Sequence, residues 1–309
     1  MANEQKRGPA MLFSMQMSTV IYEHFKRSSR FLRVHFGLRY NAFTILLCLL
    51  EAQRPAAVAE LADYLMLSKN TVLSLLLALE DDGLVAKTGR PNDNRFMECT
   101  LTDEGVGLVR KASRDVSDML ANTFLASLPM DEFARFSDID SATRVLRGHD
   151  VPGFGATAPG TASIDSREYL FPSGHFVEWH VLVDRWKACL RRHSPLSFDE
   201  FRILDLVSSR EGMTLGEVAE GLQLQKSGLS IYKSRLEESG LLQCRPDPFD
   251  GRRTVVRCTA ESARMVAELR TRLDEVTRAG HVGLSETDAI VLDAWYMRMY
   301  SNMRTTASE

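Results

Sequence analysis

The sequence is short of cysteine and of long apolar runs, and each shortage removes a class of protein. Its 5 cysteines, Cys48, Cys99, Cys189, Cys244 and Cys258, are odd in number, far apart and without a CxxC pair. Neither a disulfide framework nor a zinc site is indicated, and buried thiols are expected. No stretch approaches the roughly 18 uncharged apolar residues that a membrane span requires, and the opening MANEQKRGPAM holds no apolar signal core. A cytoplasmic location is the resulting expectation. Catalytic fingerprints are missing too: there is no GxSxG, GxGxxG, Walker loop or HExxH, and the 7 histidines have no paired carboxylates at useful spacing. An enzyme is therefore not expected, nor a cofactor or a bound metal. A dominant charge is also lacking. With 38 Lys and Arg against 41 Asp and Glu the net charge is -3, which argues against strong nonspecific attraction to polyanions while leaving local clusters of cations free to act.

What the chain does contain is a repeat. Its 309 residues, 44% hydrophobic and 26% charged, suffice for about two domains with real cores. LSKNTVLSLLLALEDDGLV at 67–85 returns as LQKSGLSIYKSRLEESGLL at 224–242. Leu79 pairs with Leu236, Glu80 with Glu237, Gly83 with Gly240, Leu84 with Leu241, Pro91 with Pro248, Asp93 with Asp250 and Arg95 with Arg252, each pair 157 residues apart. Upstream, LRYNAFTILLCL at 38–49 resembles LSFDEFRILDLV at 196–207 at an offset of 158. A period this long lies outside the 20 to 50 residues of solenoid repeats, so a duplicated domain is the reading. The expected organisation is a first unit at 1–147, a linker rich in Gly, Pro, Ala, Ser and Thr at 148–166, and a second unit at 167–309.

Both copies read in the same order. A long amphipathic helix comes first, at 10–36 and 174–193; three shorter helices follow, at 41–52, 57–65 and 68–82, and at 199–209, 214–222 and 225–239. Ser68 is the expected N-cap of the third of these, and Gly83 and Gly240 are placed to end it in a left-handed conformation. Two short strands around a Pro, Asp, Asn or Gly turn come next, then a long helix (103–126, 260–280) and a shorter one (131–147, 285–303). Three helices and a hairpin describe a winged helix-turn-helix, in which the third helix enters the DNA major groove and the hairpin wing reaches the backbone or the minor groove. The fold class is thus mainly α with small β-hairpin wings.

These residues resemble the MarR family of bacterial transcription regulators. The first copy carries LALEDDGLV at the helix end, PxDxR from Pro91 to Arg95, and LTDEG from Leu101 to Gly105; the second keeps RLEESGLL and DPFDGRR but has CTAESA in place of the LTxxG step. Family members usually work as homodimers whose terminal helices pack together over a palindromic site. The resemblance therefore implies a monomeric, single-chain pseudo-dimer with a helical dimerisation-like region, its two heads about 34 to 36 Å apart on an asymmetric pseudo-palindrome.

The resemblance places DNA contacts on particular side chains. In copy one these are Ser68, Lys69, Asn70, Thr71 and Ser74 on the third helix, with Arg90 and Arg95 on the wing beside Lys87. Copy two offers Gln225, Lys226, Ser227, Ser230, Tyr232 and Lys233, then Arg245, Arg252 and Arg253, with Arg235 and Arg257 nearby. Asp93 and Asp250 are expected to brace the wings by holding an arginine. One departure is plain: Ser74 and Ile231 stand where family recognition helices commonly carry Arg.

The resemblance also implies repression, released by a small aromatic or phenolic effector, for which Tyr22, Phe25, Trp179 and His180 on the long first helices are candidates. Such a stripe is more often packed core or interface than a ligand site. Cys189 lies among Arg185, Arg191, Arg192 and His193, a setting that lowers a thiol's pKa and would suit redox sensing. The rival to a regulator is a degenerate relative acting as a ligand sensor or protein-binding adaptor with weak or no DNA binding.

Overall fold

The computed structural model describes residues 11–88, 98–126, 129, 132, 136, 139, 171, 173–210, 212–247, 250, 253–281 and 283–305. The elements are α1 (Met15–Phe36), α2 (Tyr40–Ala52), β1 (Ala56–Ala57), α3 (Val58–Leu65), α4 (Lys69–Asp81), β2 (Val85–Thr88), β3 (Glu98–Leu101) and α5 (Asp103–Leu120), which runs on into a wider π-helical turn, Ala121–Leu125. They continue as α6 (Ser173–His193), α7 (Phe198–Ser208), β4 (Met213–Thr214), α8 (Leu215–Leu222), α9 (Lys226–Glu238), β5 (Leu242–Pro246), β6 (Thr254–Cys258), α10 (Ala260–Ala279) and α11 (Glu286–Thr305). The element order from α2 to α5 is the order from α7 to α10. The linker at 148–166 lies outside the described residues, as does most of the helix expected at 131–147.

The chain forms two compact units, and one of them is built from two pieces. A contiguous unit spans His24–Val181; a two-segment unit joins the first 23 residues to Leu182–Glu309. The division therefore passes through α1 and α6.

In the contiguous unit α2 is apolar all round, with Phe43, Ile45, Leu46 and Cys48 fully buried, which makes it the hub against which α3, α4, α5 and β3 pack. Tyr40 donates its hydroxyl to the Phe176 carbonyl at 2.8 Å, and the Ser173 amide donates to Glu51 at 2.8 Å, so the first half of α6 belongs to this core. The sheet runs β1-β3-β2, antiparallel throughout, with Val85 opposite Leu101 and Ala56 opposite Cys99. The two-residue β1 and its counterpart β4 escape a sequence reading because two residues display no period.

The two-segment unit repeats this sheet as β4-β6-β5, with Leu242 opposite Cys258. Its centre is Trp186, which meets the Phe13 ring edge-on at 5.3 Å and donates its indole N–H to Thr277 at 2.9 Å. Asp274 accepts the backbone N–H groups of Leu12 and Phe13, tying the start of the chain to α10. Arg202 is fully buried and donates to Asp199 at 3.0 Å, to Thr19 at 3.2 Å and to the Leu222 carbonyl at 3.3 Å, while its guanidinium covers the Tyr22 ring. Asp199 supplies the buried cation with a counter-charge, and its two terminal nitrogens are hydrogen-bonded, while its buried Nε has no partner among the described residues.

Candidate nucleic-acid interface

Each helix-turn-helix is set by one left-handed residue. Met66 after α3 has φ 54° and Gln223 after α8 also has φ 54°, and the next amide in each turn reaches back to the helix, Leu67 to Ala62 and Leu224 to Ala219. The turn is then short, and in the contiguous unit α3 and α4 are bent from one another by 115°. At the far ends Gly83 (φ 72°) and Gly240 (φ 71°) take the left-handed position expected of them, with Leu84 N–H bonded to Leu79 and Leu241 N–H to Leu236.

Helix α4 buries Val72, Leu76 and Leu79 and turns Ser68, Lys69, Asn70, Thr71 and Ser74 outward. Ser68 caps it as expected, accepting the Thr71 N–H at 3.1 Å. Its hydroxyl also lies 2.7 Å from that of Thr71, so both hydroxyls first serve the helix terminus. Lys69, Asn70 and Ser74 remain as the outward polar face. Arg90, Asp93 and Arg95 lie outside the described residues.

Helix α9 exposes Gln225, Ser227, Ser230 and, at 64%, the apolar Ile231. The Lys226 side chain lies outside the described residues. The neighbouring polar groups are engaged within the unit: Tyr232 donates to Asp199 at 3.2 Å, Lys233 pairs with Glu237 at 3.0 Å, and Arg235 pairs with the buried Glu200 at 3.3 Å. The bond to Glu237 raises the Lys233 pKa and lowers that of Glu237. In the contiguous unit Lys87 of the wing is likewise paired with Glu80. These acidic partners had no place in the sequence reading. The i,i+4 spacing of Lys233 and Glu237 was a visible signal, whereas the pairing of Glu200 with Arg235 depends on how α7 crosses α9.

On the second wing Asp250 forms an ion pair with Arg253 at 3.3 Å, while the backbone closes a turn from Asp247 N–H to the Arg253 carbonyl at 2.9 Å. Arg253 stays 66% exposed. Arg245 is exposed as well, and Arg252 lies outside the described residues. Beside the wing, a cleft of about 530 Å³ is lined by Thr214, Glu217, Glu220, Leu229, Ser230 and Arg253 among others. Glu217 closes a capping box with Thr214, whose N–H it accepts at 2.7 Å, and that bond holds its carboxyl below its usual range.

The four effector candidates are divided between the units. Tyr22 belongs to the two-segment unit, edge-on to Phe198 at 5.4 Å. In the contiguous unit Phe25 stacks on His180 at 4.8 Å, and the buried Trp179 packs against His24 at 4.8 Å and His175 at 4.2 Å. His24 and His175 bring their Nε2 atoms to 3.2 Å.

The expectation for Cys189 is corrected. Burial raises its thiol pKa, outweighing the opposing pull of Arg272 and Arg192, where the cationic setting led to the expectation of a lowered one. Cys48 and Cys99 are buried, whereas Cys189, Cys244 and Cys258 are only half-buried. Among the described residues no group of three or more His, Cys, Asp or Glu is placed to hold a metal ion, and no single helix is long and apolar enough to cross a membrane.

Residues 41–89, spanning α2 to β2, match the IclR helix-turn-helix domain. No curated protein matches the chain. Among solved structures the chain is similar to the PcaV transcriptional regulator of Streptomyces coelicolor bound to its natural ligand, at 24% identity and TM-score 0.35, over 44% of this chain and 93% of that one. It is similar to a MarR-family transcriptional regulator from Rhodococcus sp. RHA1, at 20% identity and TM-score 0.36, over 39% and 85%. It is also similar to BpsR of Bordetella bronchiseptica, whose DNA binding 6-hydroxynicotinic acid regulates, at 19% identity and TM-score 0.35, over 40% and 86%.

Proposed function

We propose that this chain is a DNA-binding transcription regulator of MarR type, a tandem duplication whose two winged helix-turn-helix heads act together as a single-chain pseudo-dimer. The observation that carries the reading is α4: a helix-turn-helix matching a known domain model over 41–89, with an apolar face on the core and Lys69, Asn70 and Ser74 on the open face. Those side chains suit hydrogen bonding to phosphates and base edges. The repeated element order and the matching sheet orders, β1-β3-β2 and β4-β6-β5, support the duplication. Since α4 and α9 carry different polar residues, the target on this reading is a pseudo-palindrome with unequal half-sites. Repression is the proposed mode, with release by a small aromatic compound; the aromatic cluster around His24, His175 and Trp179 is the part of the chain suited to respond to one.

The test is binding to DNA from upstream of the protein's own gene, comparing wild type with Lys69→Ala plus Asn70→Ala. Site-selective binding that weakens in the double variant supports the regulator. A second reading is an adaptor or ligand sensor that no longer reads DNA, and it is favoured by the exposed Ile231 together with the internal pairing of Tyr232, Lys233 and Arg235. Absence of selective binding by the wild type would replace the first reading with the second.

A further inference from the structure

Within the two-segment unit, the second half of α6 and the end of α10 aim cations into one cleft. On α6 Arg185, Cys189 and Arg192 stand at i, i+4 and i+7, and on α10 Arg272, Val276 and Ala279 repeat that spacing, so each set shares a helix face. With Ala188, His193 and Glu275 they line a cleft of about 320 Å³, which holds three arginines against one carboxylate. None of these residues belongs to the reading helix α9 or to the β5–β6 wing. The half-buried Cys189 thiol feels the pull of Arg272 from one wall and of Arg192 from the other, so the two cations converge.

Neighbouring arginines on α10 are compensated, Arg270 by Asp205 and Arg278 by Asp274. Among the described residues Arg192 and Arg272 enter no salt bridge, and both are exposed. Cations gathered in a concave cleft repel one another, and an anion between them removes that repulsion. Packing does not demand this charge, because the first copy of the repeat lacks it. Leu32 matches Leu190 and Val116 matches Leu273, all four buried, so the cores correspond. Yet Val34 stands where Arg192 does and Asp115 where Arg272 does; of the three arginines only Arg185 has a basic counterpart, Arg27.

We propose that Arg185, Arg192 and Arg272 form a binding site for a small molecule with two or more anionic groups, phosphate or carboxylate. Arginines on both walls suit a ligand that presents an oxyanion to each, since a planar guanidinium grips one through paired N–H donors. The volume is at the low end of the range for small-molecule pockets, which suits a compact ligand and leaves no room for a nucleic-acid duplex. No aromatic ring lines the cleft among the described residues, so its chemistry differs from that of the cluster around His24, His175 and Trp179. The proposal is independent of the DNA-binding reading above.

The test is calorimetric titration of the full chain with pyrophosphate and with citrate at low salt. One probe or both should bind at a single site per chain. Arg192→Gln plus Arg272→Gln should weaken that binding by about a hundredfold, about tenfold for each charged donor removed. Arg33→Gln plus Arg264→Gln takes the same net charge from exposed positions outside the cleft and should leave affinity within about twofold. Bound probe should raise the melting temperature of wild type and not of the first double variant. Matching melting curves without probe would exclude unfolding as the cause. Tighter binding of pyrophosphate assigns phosphate chemistry to the site, and tighter binding of citrate assigns carboxylate chemistry. Equal weakening in the two double variants, or no binding of either probe by wild type, would overturn the site and leave the regulator reading to its own test.

Discussion

Arg202 donates a hydrogen bond to the Thr19 hydroxyl at 3.2 Å, joining positions 183 residues apart. It makes the first segment of the chain an integral part of the unit that holds the second wing. Removing the guanidinium takes the counter-charge from Asp199, which keeps the Tyr232 hydroxyl as a donor, and the side-chain donor from the Leu222 carbonyl, so Arg202→Met should cost about 3 to 5 kcal/mol. Thr19→Val removes a single acceptor and should cost about 1 kcal/mol. Thermal denaturation of the two variants would check the order, and an Arg202→Met protein as stable as wild type would contradict it.

Ser68 caps α4, so its variants separate helix stability from the proposed DNA contact. Ser68→Ala loses the cap on Thr71 N–H and should destabilise by about 1 kcal/mol. Ser68→Asp retains a capping oxygen and should keep that stability, yet it sets a negative charge beside Lys69 and should weaken DNA binding several-fold. Parallel melting and binding curves would reveal the split. Equal DNA affinity in wild type and Ser68→Asp would remove this end of α4 from the interface.

Gly105 is forced by close approach. A Cβ there would lie 2.0 Å from the Leu84 carbonyl oxygen, which is backbone and cannot swing aside. The helix-propensity gain of alanine over glycine is about 1 kcal/mol, while overpacking against a fixed backbone costs about 1 to 3 kcal/mol or more. The clash should win. Gly105→Ala is expected to lower the melting temperature, whereas Gly107→Ala, with open space around its Cβ, should raise it slightly.

The alkaline limb of stability follows from buried acids. Burial pushes the Cys99 and Cys244 thiols from 9.0 up to about 11, and Tyr22 from 10.0 up to about 12, the nearby Asp199 charge adding to the tyrosine's shift. Each group holds its proton more tightly folded than unfolded, so its contribution is intact below the unfolded value and is lost as pH climbs through the folded one. Melting temperature should begin to fall above about pH 9 and fall further toward pH 12. Tyr22→Phe should flatten the upper part of that decline.

The same shifts make the thiols slow nucleophiles. Cys99, Cys189, Cys244 and Cys258 all have raised pKa values, burial being the first cause in each. Alkylation near pH 8 should run well below the rate of an unfolded thiol, and mild peroxide should leave DNA affinity unchanged. Rapid, selective modification of Cys189 would overturn this.

Much of the fold was written in local signals. The apolar spacing of 41–52 and 199–209 appears as α2 and α7, Ser68 caps α4, and Gly83 and Gly240 take the left-handed positions, because period, cap chemistry and φ preference act within a few residues of chain. The outward face of α4 was legible for the same reason. The state of the cations was not. Lys69 and Arg235 look alike in a sequence, yet the buried Glu200 holds one of them, and only the crossing of α7 and α9 decides which.

By itself the sequence determined the repeated helix-turn-helix and wing, since hydrophobic periodicity and turn residues specify elements one at a time. Tertiary structure alone decided which half of α1 serves which unit and which arginines share the cleft between α6 and α10. A helix's apolar stripe announces that it will be buried without naming its partner. Thr19 met Arg202, and Arg192 came into one cleft with Arg272, only once long-range packing had closed the core around them.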